Sequence, residues 1–455
     1  MKYDILNQNN IFALDTSDLL PPHLNRFMVV YAPLVNVIFA AEDEIINKLE
    51  QGYLQSEDSL PAEIAQTVKI LKNCDSKVAV RYVNPDLTDI SVLYILPNYK
   101  CNFSCSYCYA AKGRSDKEIS SENLNRAITF FLDAETRNEQ LTRRIVFMGG
   151  GEPMLSWPLI QNGVLFAQKY AETKGLNLLF SIITNGSILT EEKLAFIRCH
   201  NIRMNVSFEV LREIQELQRG NFDIVASHIR TMLKNDIKVV IRSTITPESV
   251  DLLEKMVEDV CENYPGITAL SLEPVTDSAL DFVPMMSEFL AKYRKNFVAA
   301  YKSGREHGLK VVNSVTQAMG QVHRAHCAGS ISVNPEGCLT ACPCFSSPKE
   351  KGYSENLIGK IHADTLDFDR SAYARILPRD ITESEHCRLC FAKYVCAGGC
   401  IHNNLTYCPD VRNIICSHTR EMLRTLLFDR AEQQYLQLTG KDLTSALSEY
   451  TKGRP

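Results

Sequence analysis

The sequence predicts an α/β protein whose centre is a partial (β/α)6 barrel, with a small α+β module before it and a cysteine-rich domain after it. Three observations carry that expectation. Apolar strand-like runs alternate with helical periodicity six times between residues 89 and 312, an order that builds a parallel sheet with its chemistry at the carboxyl ends of the strands. Of the 455 residues, 45% are hydrophobic and 23% charged, so the chain can bury a real core. The sixteen cysteines are unevenly spread: three fall together at Cys101, Cys105 and Cys108, and ten lie between Cys327 and Cys416.

Residues 1–88 make the α+β module. Ile11–Leu14 and Arg26–Ala40 read as strands. Ile45, Ile46 and Leu49 mark one amphipathic helix, and Ile64, Val68 and Leu71 mark a second at i, i+4, i+7. Gly52 and Pro61 punctuate the boundaries, and a last strand, Val78–Val83, precedes the turn Asn84-Pro85-Asp86. Residues 89–312 carry the barrel strands Val92–Leu96, Ile145–Met148, Leu179–Thr184, Met204–Phe208, Val239–Ile245 and Ala269–Pro274. Helical text follows them, as in Leu159–Thr173, Phe222–Lys234 and Val250–Tyr264. Residues 313–455 hold the cysteine-dense domain and close with a helix.

Composition narrows the function classes. Lys plus Arg number 49 and Asp plus Glu 54, a net charge of −5, which offers no basic field for a nucleic-acid backbone. The longest mostly apolar run, Phe27–Ala41, is broken by Pro33 and Asn36 and falls short of the ~18–20 residues of a membrane span. The opening MKYDILNQNN lacks the apolar stretch of a secretory signal. A cytoplasmic protein with neither a nucleic-acid nor a membrane partner is expected. In a reducing compartment sixteen cysteines suit metal or cluster ligation better than disulfides. Cys199 and Cys261, isolated in apolar helical text, read as small packed hydrophobes.

Cys101-x3-Cys105-x2-Cys108 falls directly after the first barrel strand. Three close thiolates can hold three irons of a [4Fe–4S] cube and leave the fourth open, whereas a structural zinc wants a fourth ligand that is not adjacent here. The second strand ends in Met148-Gly149-Gly150-Gly151-Glu152-Pro153, glycines that let backbone approach a ligand. In this order the two motifs resemble those of the radical S-adenosylmethionine (SAM) superfamily. The resemblance implies that SAM chelates the open iron through its amino and carboxylate groups. Its reductive cleavage would give a 5′-deoxyadenosyl radical that abstracts hydrogen from substrate. The resemblance further implies SAM contacts from Tyr107, Gly149, Gly150, Gly151, Glu152, Ser207 and Arg219. Thr184-Asn185-Gly186 ends the third strand in a family-like way. Where the related pattern continues Ser-Leu-Asp-Gly, this chain reads Ser207-Phe208-Glu209-Val210, an acid one carbon longer with the glycine lost.

The tail reads Cys327-x9-Gly337-x4-Cys342, then Cys387-x2-Cys390-x5-Cys396-x3-Cys400, then Cys416. A pair of zinc ribbons could produce such pairs. The full pattern of seven thiols and a glycine resembles the SPASM domain, an iron–sulfur extension of radical SAM enzymes. That resemblance implies two auxiliary [4Fe–4S] clusters, hence three in all. The distal one would sit on Cys387, Cys390, Cys396 and Cys416, the proximal one on Cys327, Cys342 and Cys400. Six residues before Cys327, where some members have another ligand, stands Gln321. Either the proximal cluster keeps an open iron for a substrate thiolate, or Cys338 or Cys344 closes it. His323 and His326 read as hydrogen-bonded or solvent-facing residues, and Cys408 as a loop residue.

SPASM enzymes act mostly on peptides and proteins. The resemblance therefore implies a maturase of ribosomally made peptides that installs a thioether or carbon cross-link in a precursor peptide, reduced by a partner such as a flavodoxin or ferredoxin. The alternatives are a sulfatase-maturase-like, formylglycine-forming enzyme and a peptide epimerase. About 100 residues precede Cys101, unlike the usual sulfatase-maturing layout. Their arrangement resembles peptide-recognition modules that bind a leader as an added strand. Glu273, ending the sixth strand, and Glu209 are the candidate catalytic carboxylates.

Overall fold

The computed structural model describes residues 3–54, 61–73, 80–81, 90–136, 141–275, 283–327, 329–363, 365–377 and 380–452. The amino-terminal module is an antiparallel sheet of β1 (Phe12–Asp15), β2 (Phe27–Ala32) and β3 (Val37–Glu42). The second expected strand is therefore two. Pro33 opens a tight turn, Asn36 takes a left-handed φ of 54°, and the chain folds back on itself. Alternation sends Phe27, Val29 and Tyr31 into the main core, and Val30 and Ala32 against the helices Asp43–Leu54 and Ala62–Lys72. Of the last expected strand only β4 (Val80–Arg81) is described, and it pairs in parallel with Val322–His323 of the tail rather than with the module's own sheet. Cys74 and the turn at 84–86 lie outside the described residues.

The barrel follows the expected order closely. β5 (Val92–Ile95), β6 (Arg143–Phe147), β7 (Leu178–Thr184), β8 (Arg203–Ser207), β9 (Val239–Ile245) and β10 (Ala269–Pro274) lie side by side in parallel, and β11 (Val311–Val312) adds a short edge. Two of the returning helices start on side-chain caps. Ser120 Oγ accepts from Asn123 N–H at 3.1 Å and Thr190 Oγ1 from Lys193 N–H at 3.3 Å. The helix Ser121–Asp133 ends on the Arg143 guanidinium, which is buried and donates to the Phe131 and Ala134 carbonyls.

The tail joins this sheet, which the sequence reading did not foresee. After β12 (Val322–His323), β13 (Ser330–Val333) pairs in parallel with β5, and β14 (Cys338–Thr340), β15 (Leu357–Ile361) and β16 (Leu366–Phe368) continue antiparallel, giving eleven strands in one sheet. Strands of three to five residues amid turns and cysteines leave little periodicity to read. The long helix Pro409–Thr439 then straps the parts together. Its Arg424 holds the Asp18 carboxylate at 2.5 and 2.8 Å and the Asp15 carbonyl at 2.8 Å, while its Asp429 takes both arms of Arg305 at 2.8 and 3.0 Å. Among the described residues no helix is long and apolar enough to cross a membrane.

Candidate active site

The loop after β5 carries Cys101, Cys105 and Cys108, and the neighbouring strand ends hold it from beneath. Asn98 Nδ2 donates to the Glu152 carbonyl at 3.0 Å and to Ser156 Oγ at 2.6 Å, and the Glu152 N–H donates to the Lys100 carbonyl at 2.6 Å. The glycine run makes this contact possible. A Cβ on Gly151 would stand 1.8 Å from the Lys100 oxygen, and one on Gly150 2.6 Å from the Tyr99 ring. Sequence reading explained these glycines by ligand approach; the structure adds that they let the cluster loop lie directly on the end of β6.

Glu152 is buried and bolts β6 to β7. Its Oε1 accepts from Met154 N–H at 2.9 Å and Thr184 Oγ1 at 2.7 Å, and among the described residues its Oε2 accepts only from Asn185 N–H at 2.7 Å. Burial pushes its carboxyl above the usual range, against the pull of those donors and Arg219. The single donor on Oε2 leaves acceptor capacity toward the cavity that Glu152 lines.

Glu209 requires a correction. It is fully buried, is not on the cavity wall, and serves as an anchor behind it. The Tyr107 hydroxyl donates to its Oε1, while Ser243 Oγ and Thr244 N–H donate to its Oε2 at 2.6 and 2.9 Å. Arg219 stands 3.7 Å from Oε1 and gives Nη1–H to the Tyr107 oxygen at 2.7 Å. Tyr107 and Arg219, both on the cavity wall, are thus oriented through one carboxylate. Val210, standing where the related pattern has glycine, still takes a left-handed φ of 63°. The turn shape survives the lost glycine, in a conformation unfavourable for a β-branched residue.

Ser207 at the end of β8 and Glu273 near the end of β10 also line the cavity. Burial lifts Glu273 from the ordinary 4.5 to about 7, opposed by the Arg242 charge and hydrogen bonds from Ser314.

Of the tail thiols, Cys327, Cys342, Cys344, Cys387, Cys396, Cys400 and Cys416 face this same cavity, of about 1320 Å³. Cys390 does not, but lies near enough to Cys387, Cys396 and Cys416 for their charges to be felt. Among the described residues no three His, Cys, Asp or Glu side chains converge tightly enough to hold a single metal ion. The arrangement fits the SAM group: Arg219 Nε is buried without a hydrogen-bond partner on a residue that lines the cavity, and an incoming carboxylate would satisfy it.

Sequence reading missed Tyr109, Arg144 and Arg242. Tyr109 follows Cys108 and is half-buried near the Cys108, Cys342 and Cys344 thiols, between the loop after β5 and the tail. Arg144 and Arg242 line the cavity from β6 and β9. A charged residue inside an otherwise apolar parallel strand was the available signal, because such strands are normally apolar throughout.

The model of the Radical SAM superfamily matches residues 95–260. The radical SAM cyclopropyl synthase TigE of Paramaledivibacter caminithermalis is 20% identical over 340 residues, covering 69% of this chain and 68% of that protein. A serine-type anaerobic sulfatase-maturating enzyme of Klebsiella aerogenes is 22% identical over 339 residues, covering 66% and 76%. Among solved structures, anSMEcpe with bound AdoMet and the Kp18Cys peptide superposes with a TM-score of 0.61 at 18% identity, over 75% of this chain and 99% of that one. SuiB of Streptococcus suis bound to its precursor peptide SuiA gives 0.51 at 15% identity, over 88% and 97%. The structural likenesses speak for the fold. The family model, with the thiol loop, the glycine run and the parallel barrel, shows that the chain carries a radical SAM domain over residues 95–260.

Proposed function

We propose that this chain is a radical SAM peptide maturase that abstracts hydrogen from a residue of a ribosomally made precursor peptide and installs a thioether or carbon cross-link. The observation that carries this reading is the one cavity on which the barrel thiols, the SAM-facing residues and the tail thiols all stand. Its volume of about 1320 Å³ exceeds the roughly 300–1,000 Å³ usual for a small-molecule pocket, so SAM and a peptide segment can share it. SuiB with SuiA and anSMEcpe with Kp18Cys have this fold with a peptide bound.

When bound, SAM and its cluster supply the hydrogen-abstracting radical. Every other part of the work falls to the chain. Cys101, Cys105 and Cys108 would hold the SAM-binding cluster. Arg219 would meet SAM's carboxylate, Glu152 Oε2 its amino group, the Gly149–Gly151 backbone and Ser207 its flanks, and Tyr107 its adenine. Glu273 can hold a proton at a carboxyl oxygen facing the substrate, since its pKa lies near 7. Cys387, Cys390, Cys396 and Cys416 would bind the distal auxiliary [4Fe–4S] cluster, and Cys327, Cys342 and Cys400 the proximal one. The amino-terminal module would take a leader segment as a strand added beside β3, an edge of its sheet. A flavodoxin or ferredoxin would deliver the electron, in the cytoplasm.

The test is anaerobic co-expression with candidate leader-bearing peptides, followed by intact mass and fragmentation. Loss of two hydrogens confined to a linked pair of residues supports the cross-linking reading. The kinship with sulfatase-maturating enzymes favours formylglycine formation as the second reading. An aldehyde-reactive Cys or Ser position in a sulfatase peptide, with leader-bearing peptides untouched, would replace the first reading by the second.

A further inference from the structure

The segment Cys342-Pro343-Cys344-Phe345 contains a thiol that the seven-cysteine pattern does not use. In an extended strand, side chains two residues apart lie on the same face but are separated by two residue rises. Here the chain turns instead. The Phe345 N–H donates to the Cys342 carbonyl at 3.1 Å, and Pro343 sits at the second turn position, which its fixed φ suits. The turn thereby sets Cys344 beside Cys342, as Cys327 stands beside Cys400. All four line the same cavity.

The rival thiol is occupied elsewhere. Cys338, on β14, is 9% exposed and is not on the cavity wall. Its sulfur meets the Tyr353 hydroxyl, which also accepts from Asn334 Nδ2 at 2.8 Å. Gln321, at the upstream ligand position, gives its amide to the Gln317 carbonyl at 3.1 Å.

We propose that Cys344 is the fourth ligand of the proximal auxiliary site, so that Cys327, Cys342, Cys344 and Cys400 together close a [4Fe–4S] cluster with no iron free for a substrate thiolate. The inference rests on reading the tail as cluster-binding. Its consequence for the reaction is specific: a cysteine of the substrate does not reach its cross-link by ligating this cluster.

The test uses the full chain with Cys101, Cys105 and Cys108 replaced by Ala, which removes the one cluster expected to have an open iron. After anaerobic reconstitution, two auxiliary cubes correspond to about eight irons per chain. Negligible iron would overturn the cluster reading of the tail, a failure distinct from that of the ligand assignment. Ferricyanide then takes one electron from each [4Fe–4S]2+ cube. A cube with an iron lacking its cysteine sheds that iron as Fe2+ and leaves a paramagnetic [3Fe–4S]+ form, counted by electron paramagnetic resonance. The triple-Ala parent should give almost none, adding Cys344→Ala about one per chain, and adding Cys338→Ala no more than the parent. Added 2-mercaptoethanol should suppress the signal of the Cys344→Ala protein by filling the open iron. The parent measurement needs no change at Cys344, so a poorly folding variant cannot hide the answer. A three-iron signal near one per chain in the parent, or one that follows Cys338→Ala instead of Cys344→Ala, overturns the proposal.

Discussion

Replacing Glu209 by Gln asks whether that carboxylate is the electrostatic anchor of the cavity wall formed by Tyr107 and Arg219. The side chain of Arg219 is 8% exposed and that of Glu209 0%, with Nη1 and Oε1 3.7 Å apart. At an effective dielectric of ~20 the attraction at such a distance is about 4 kcal/mol. Arg219 has already lost its water, so removing the opposite charge leaves the desolvation uncompensated, and buried pairs broken in this way typically cost ~3–5 kcal/mol. The Gln oxygen can still accept from Ser243 and Thr244, so the loss should lie near the lower end, about 3 kcal/mol. Urea unfolding of the anaerobically prepared chain, followed by circular dichroism, measures it. With a slope of about 3 kcal/mol/M the midpoint should fall by about 1 M. The double variant Glu209→Gln with Arg219→Met removes both charges and should recover most of that loss, because a buried pair deleted whole is close to neutral. A single variant within about 0.5 kcal/mol of the parent, the range of an ordinary surface change, would refute the anchor role. So would a double variant no more stable than the single one.

Two further outcomes are expected. Gly151→Ala would bring a Cβ to 1.8 Å from the Lys100 carbonyl and push the Cys101–Cys108 loop off the end of β6. Bound iron should fall while far-ultraviolet circular dichroism stays native-like, and undiminished iron would contradict the packing account. Glu273→Gln should shift the pH dependence of stability. The folded carboxyl titrates near 7 against an ordinary 4.5, so its stabilising contribution is full below the unfolded value and is lost as pH rises through 7. Gln mimics the neutral acid. The variant should match the parent at about pH 4.5 and exceed its Tm by about 2–4 °C at about pH 8, for each kcal/mol recovered. A variant no more stable than the parent at the higher pH would refute the burial of this group.

Much of the barrel was legible because its signals are local. The runs that became β9 and β10 match their expected bounds residue for residue, since a mostly apolar run set between helical segments marks a buried parallel strand. The three thiols after β5 and the glycines after β6 were legible because each motif is contiguous. The hairpin hidden in 26–40 was harder. Its apolar text continues on both sides of Pro33, and the tight turn from Pro33 to the left-handed Asn36 separates two strands from one long one.

The sequence by itself determined which residues are the candidates for the chemistry: thiol spacing, the Gly-Gly-Gly-Glu run and the alternation of strand and helix are properties of neighbours along the chain. Tertiary structure alone decided how those residues divide the work. Glu209 looked like a reacting group and is a buried anchor, because what surrounds it comes from β9 and from the loop after β5. Cys338 and Cys344 are alike in the sequence, yet one is spent on Tyr353 and the other is turned toward Cys342. The physical reason is the same in both cases. A side chain's role is set by the partners and the dielectric around it, and these come from neighbouring strands and from turns whose shape residue types alone do not reveal.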